Sequence, residues 1–197
     1  VKPAIYFDLE TGGVMPTHPN IQLAAVAVDE DTWHEISSIE MKIMFDERRA
    51  DPDALAMNHY TAEAWKDAAV PWEACKRFAA FLDRFKSLEM VSKRTGNPYT
   101  VAKLVGHNAA SFDGPRLFTM FRECDVFLPA DPRVRCTCQR AMWYFDETGA
   151  VPPKDLKLAT LCEYFGVPVV ESHEALADVR LTVQLARAMR EKFRVAA

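Results

Sequence analysis

The chain opens on an apolar run, Ala4-Ile5-Tyr6-Phe7, that ends in Asp8 and Glu10. The run predicts a strand that ends in two converging carboxylates. Residues two apart on a strand point to one side, so both acids can face a single cation. Gly12-Gly13 and Pro16 through Pro19 then interrupt regular structure. Two more strands are predicted over 21–28 and roughly 35–45, joined by the polar turn Asp29-Glu30-Asp31. Helical spacing takes over around 54–60, 62–65 and 72–85. Segment 87–100 reads as an exposed connection, least structured from Ser92 to Pro98.

Residues 101–105 return to a short apolar strand, directly before Gly106-His107-Asn108-Ala109-Ala110-Ser111-Phe112-Asp113. Asp113 opens a predicted helix through Phe121, with Pro115 tolerated in its first turn. An edge strand over 133–136, a helix around 139–145, a helix over 158–165 and a terminal helix over 175–193 complete the pattern. Strands that give way to helices in this order place the chain in the α/β class. The chain contains no repeat.

Composition narrows the class. A length of 197 residues, 49% hydrophobic and 26% charged, fits one globular domain. No apolar segment is long enough to cross a bilayer, and the N-terminus lacks a basic stretch before a signal-like run. The expectation is a cytoplasmic protein without membrane contact. A formal charge of -4 argues against a basic body that grips duplex nucleic acid, while leaving room for an acidic catalytic cluster. Arg133, Arg135, Arg140, Lys154 and Lys157 are candidate phosphate contacts, and Lys93-Arg94 a candidate basic loop for steering substrate or meeting a partner. The odd number of cysteines, 5, and the tight Cys136-x-Cys138 spacing fit neither disulfides nor structural zinc.

Candidate chemistry gathers on Asp8, Glu10, Asp113 and Asp178, carboxylates from a strand end and two helix-associated segments. Asp113 could alternatively cap its helix, and Asp178 could be an ordinary helical surface acid. Oxygen-only donors favour Mg²⁺ or Mn²⁺, and separated carboxylates can hold two ions around one phosphate. His173, five residues before Asp178, supplies an imidazole able to accept the proton of attacking water. His173-Glu174 lacks the second histidine of an H-E-x-x-H zinc site.

Taken together, Phe7-Asp8-Leu9-Glu10-Thr11, the Gly106–Asp113 segment and His173-Glu174-Ala175-Leu176-Ala177-Asp178 closely resemble the signatures of the DEDDh branch of the DnaQ-like 3′-to-5′ exonucleases, in the ribonuclease H-like superfamily. The resemblance spans nearly the whole chain. It implies a mixed sheet of five strands flanked by helices, with the second strand antiparallel to the rest. It also implies that Asp8 bridges two Mg²⁺ or Mn²⁺ ions, that Glu10 and Asp178 complete one site, that Asp113 supports the other, and that His173 is the general base. Leu9, Thr11 and Gly12 are expected beside the terminal nucleotide, and His107, Asn108 and Phe112 along the substrate side.

The sequence departs from the family pattern at Gly12, Gln22 and Cys136-Thr137, where many relatives carry threonine, an acid and Asp-Thr. No expected ligand is lost. The implied function is release of nucleoside 5′-monophosphates from single-stranded 3′ ends, DNA slightly favoured over RNA, with a polymerase or another replication or repair protein as a possible partner. The alternative is a nucleic-acid-binding or scaffold protein with the same fold and weak turnover.

Overall fold

The computed structural model describes residues 2–169 and 175–196. Its main sheet has five strands in the order β3-β2-β1-β6-β7. These are Pro3–Thr11 (β1), Asn20–Asp29 (β2), Glu35–Lys42 (β3), Leu104–Gly106 (β6) and Arg135–Cys136 (β7). β2 runs antiparallel to both neighbours, while β1, β6 and β7 are parallel, so β2 alone opposes the rest. This is the mixed ribonuclease H-like sheet that the sequence resemblance implies.

β1 sits in the middle, which explains its unbroken apolar run. Ile5, Phe7 and Leu9 pack on one face against Pro71–Asp83 (α2) and Asp113–Glu123 (α3), through Phe78, Leu82, Leu117 and Phe121. Ala4 and Tyr6 pack on the other, against Ala175–Ala196 (α6), through Val179 and Ala186. Thr137–Thr148 (α4) and Leu158–Tyr164 (α5) close a third cluster against α6. Burial of Tyr6, Phe7, Phe78 and Phe121 alone removes enough apolar surface to contribute several kcal/mol of stabilisation.

Three expectations change in detail. The helix expected around 54–60 is Pro52–Met57 (α1), started by Pro52 in the first turn and capped by Asp51, whose carboxylate accepts the Asp53 N–H at 2.9 Å. Residues 62–65 form turns, and Trp65 is instead pinned by its indole N–H to the Ile21 carbonyl at 3.0 Å. Segment 87–100 is exposed as expected but carries structure: Leu88–Val91 (β4) and Pro98–Val101 (β5) form a two-stranded antiparallel hairpin. Ser87 Oγ donates to the Pro3 carbonyl at 2.8 Å, so the hairpin is rooted where β1 and β6 begin. Lys93 and Arg94 lie in the turn of this hairpin, whose root is at the end of β1 opposite Asp8 and Glu10.

Candidate active site

Asp8 and Glu10 lie near the C-terminal end of β1, on the face that Tyr6 shares with α6. Asp178 stands in the first turn of α6, and Asp113 is the first residue of α3, directly after the loop that follows β6. The register explains how Asp113 reaches the strand. Ile5 gives its N–H to the Lys103 carbonyl, so alternate N–H groups of β1 point toward β6. β6 ends at Gly106, and the Leu9 N–H beyond it is taken by Asp113 Oδ1 at 3.2 Å.

The charges act on one another. Burial pushes the Asp8 carboxyl well above the ordinary carboxylate range, and the negative charges of Asp113, Glu10 and Asp178 push it further, against a hydrogen bond from the Leu9 N–H. Burial, then Asp178 and Asp113, raise Glu10 to about 7. Burial raises Asp113 to about 6, opposed by the Leu9 N–H and by the Arg116 guanidinium. The four acids named from the sequence are thus electrostatic neighbours. Among the described residues, no three carboxyl, imidazole or thiol groups already stand as a finished metal-holding set, so this is an open cluster rather than a closed cage. Its all-oxygen donor set and mutual repulsion both fit a hard divalent cation. His173 lies outside the described residues.

The other named residues divide. Leu9, expected beside the terminal nucleotide, is 4% exposed with its side chain in the core, and its N–H holds Asp113. Thr11 is buried and donates its hydroxyl to the Gly13 carbonyl at 3.0 Å. Gly12 is needed as glycine because a Cβ there would stand 2.7 Å from Ala50 Cβ. Both of these shape the end of β1 from within. Asn108 is exposed at φ 54°, its side chain accepting the Ser111 hydroxyl at 2.7 Å, and Phe112 is half-buried under the Arg116 guanidinium, 4.4 Å from its ring. Asn108 and Phe112 are the two of this group that remain open to a ligand.

His107 joins two distant parts of the fold. Its Nδ1 lies 2.8 Å from Thr137 Oγ1 and its Nε2 3.0 Å from the Leu156 carbonyl, and burial pushes it down to about 4. A neutral ring that donates from Nε2 and accepts the Thr137 hydroxyl at Nδ1 satisfies both contacts. His107 is therefore a strut between β6, α4 and the loop before α5, with no ring nitrogen left for substrate. His107→Ala should cost about 2–4 kcal/mol in denaturant unfolding, from the cavity and the unpaired Leu156 carbonyl. Because the folded value lies below the ordinary 6.5, wild type should lose this increment as pH falls from 6.5 toward 4, and the variant should lack it.

Of the basic residues named as phosphate contacts, Arg133 and Arg135 are paired with the fully buried Asp131 at 3.0 and 2.6 Å. Arg140 is half-buried with its guanidinium 4.7 Å from the Phe193 ring. Lys154 and Lys157 are exposed. In the 142–145 segment, Phe145 is buried and Tyr144 stacks on Phe193 at 4.8 Å, whereas Trp143 is 66% exposed. Two contacts had no sequence signal. Asn58 Nδ2 donates to the Thr11 carbonyl at 3.1 Å, and Arg116 reaches back across the loop after β1.

No protein-family model and no curated protein matches the chain. Solved structures do match it. E. coli Exonuclease I in complex with a dT13 oligonucleotide superposes at a TM-score of 0.70 and 18% identity, over 99% of this chain and 43% of that one. The two share a mixed, ribonuclease H-like α/β fold. A moderately thermophilic Exonuclease I from Methylocaldum szegediense gives 0.71 and 20%, over 98% and 41%. An ExoI/SSB-Ct complex gives 0.68 and 18%, over 98% and 43%. The chain thus spans less than half the length of these proteins, and identities this low establish a shared fold alone.

Proposed function

We propose that residues 1–197 act as a divalent-metal-dependent 3′-to-5′ exonuclease domain that releases nucleoside 5′-monophosphates from single-stranded ends. The observation that carries this reading is the convergence of Asp8, Glu10, Asp113 and Asp178 from three elements, close enough to raise one another's proton affinity. Asp8, repelled by all three others, is the natural shared ligand; Glu10 and Asp178 serve one side and Asp113 the other. Mg²⁺ or Mn²⁺ bound there would activate water and offset charge on the leaving oxygen. Asp113 is held in place by the Leu9 N–H through Oδ1, leaving Oδ2 for the ligand role. His173, assigned from its place in the sequence motif, takes the proton of the attacking water.

DNA is the favoured substrate, supported by the likeness to an enzyme solved with dT13. The likeness to the ExoI/SSB-Ct complex supports a replication or repair protein as partner, and the cytoplasmic setting rests on the sequence reading alone. Matched single-stranded DNA and RNA oligonucleotides, each labelled at one end, test this. With Mg²⁺ or Mn²⁺, a 3′ label should leave at once as a mononucleotide and a 5′ label should give a shortening ladder, faster for DNA. Faster RNA turnover would reverse the substrate assignment, and tight binding without cleavage would support the scaffold alternative.

A further inference from the structure

The loop between Gly13 and His18 is held to α3 by one side chain. Arg116 Nη1 donates to the His18 carbonyl at 3.1 Å, and Nη2 reaches the carbonyls of Gly13, Val14 and Met15 at 3.2, 2.9 and 2.8 Å. A planar guanidinium can serve several carbonyls at once, which an ammonium on a flexible stem cannot do equally well. Arg116 lies one turn beyond Asp113 on α3 and covers Phe112 with its guanidinium. The same side chain therefore fixes the loop leaving the Asp8–Glu10 strand relative to the helix carrying Asp113.

What the loop presents is unusual for a surface turn. Val14 is 78% exposed and Met15 56%, and a cavity of about 800 Å³ opens beside them, walled by Pro16, His18, Phe112 and Arg116. Arg48 and Arg49 also line it: Arg48 is ion-paired with Asp46 at 2.8 Å, and Arg49 Nη2 donates to the Thr17 carbonyl at 2.9 Å. His18 Nδ1 is buried without a hydrogen-bond partner. Beneath it Gly13 adopts φ 136°, and a Cβ there would lie 1.9 Å from that nitrogen. Val14 and Pro16 on a held loop, with Phe112 and Arg49 lining the same cavity, suit the sugar and base faces of a strand whose phosphates run past that arginine.

Resting on the exonuclease reading, we propose that Arg116 is a positioning residue: it holds loop 13–18 as a preformed wall that captures the substrate strand beside the acids. A preordered wall lowers the entropy lost on binding, so loosening it should act on capture more than on chemistry. Arg116→Gln should raise KM for a single-stranded oligonucleotide about tenfold and leave kcat within about threefold. Arg116→Lys should restore part of the loss. Gly13→Ala disturbs the same loop with Arg116 intact and should raise KM in the same way, which decides the matter if Arg116→Gln does not fold.

The experiment is steady-state cleavage of a 3′-labelled oligonucleotide by wild type and the three variants, each checked for cooperative melting. A cooperatively folded Arg116→Gln or Gly13→Ala with wild-type KM would overturn the clamp, as would a fall in kcat with KM unchanged. Wild type that fails to cleave would instead bring down the exonuclease reading, and this proposal with it.

Discussion

Asp8→Asn is expected to abolish cleavage while making the metal-free protein more stable. Asp8 carries a buried charge repelled by Asp113, Glu10 and Asp178, with the Leu9 N–H as its opposing hydrogen bond. An amide keeps the shape and removes that repulsion, so the melting temperature without metal should rise. The same change removes the proposed shared ligand, and several kcal/mol of charge stabilisation correspond to at least about a thousandfold in rate. A core or surface acid would not show both effects. Chelator-treated thermal melts alongside single-turnover cleavage measure the two together, and a variant that melts lower in the absence of metal would contradict the repulsion argument.

The second large effect is a dependence of stability on pH that divalent ions should remove. Glu10 is raised from 4.5 to about 7 and Asp113 from 3.8 to about 6. Folded values above unfolded ones mean that the native state binds more protons between about pH 4 and 7, so the metal-free protein becomes less stable as pH rises through that window. The loss should total a few kcal/mol by pH 8. Mg²⁺ or Mn²⁺ should offset most of it and matter little at pH 5, where protons already neutralise the cluster. Equilibrium unfolding at pH 5 and 8, with and without Mn²⁺, checks the sign. The His107 contribution runs the other way below its ordinary 6.5 but is the same with and without Mn²⁺, so the stabilisation by Mn²⁺ at each pH carries the test.

What the sequence made legible follows from what is local. Alternation along β1 placed Asp8 and Glu10 on one face, and the apolar run marked the central strand, because both depend on neighbours two residues apart. The helix opening at Asp113 was legible from its own segment. The β4–β5 hairpin was not, since its strands are short and mostly exposed and leave no apolar stripe to read. His107 was placed along the substrate side by the motif resemblance, but its partners lie 30 and 49 residues away and bind both nitrogens. Leu9 was open to two readings, beside the terminal nucleotide or in the sheet core, and packing with Ile5 and Phe7 places its side chain in the core. Arg116 was invisible because its partners are main-chain carbonyls about a hundred residues earlier, which carry no residue-type signature.

The claim that the convergent acids form a metal-dependent site for cutting 3′ ends is tested most directly by one assay. Wild type and Asp8→Asn are titrated with Mn²⁺ against a 3′-labelled single-stranded DNA, and mononucleotide release is followed in a single turnover. Release should require the cation in wild type and be absent in the variant at every concentration. Release in the presence of chelator, or full-rate release by Asp8→Asn, would contradict the account.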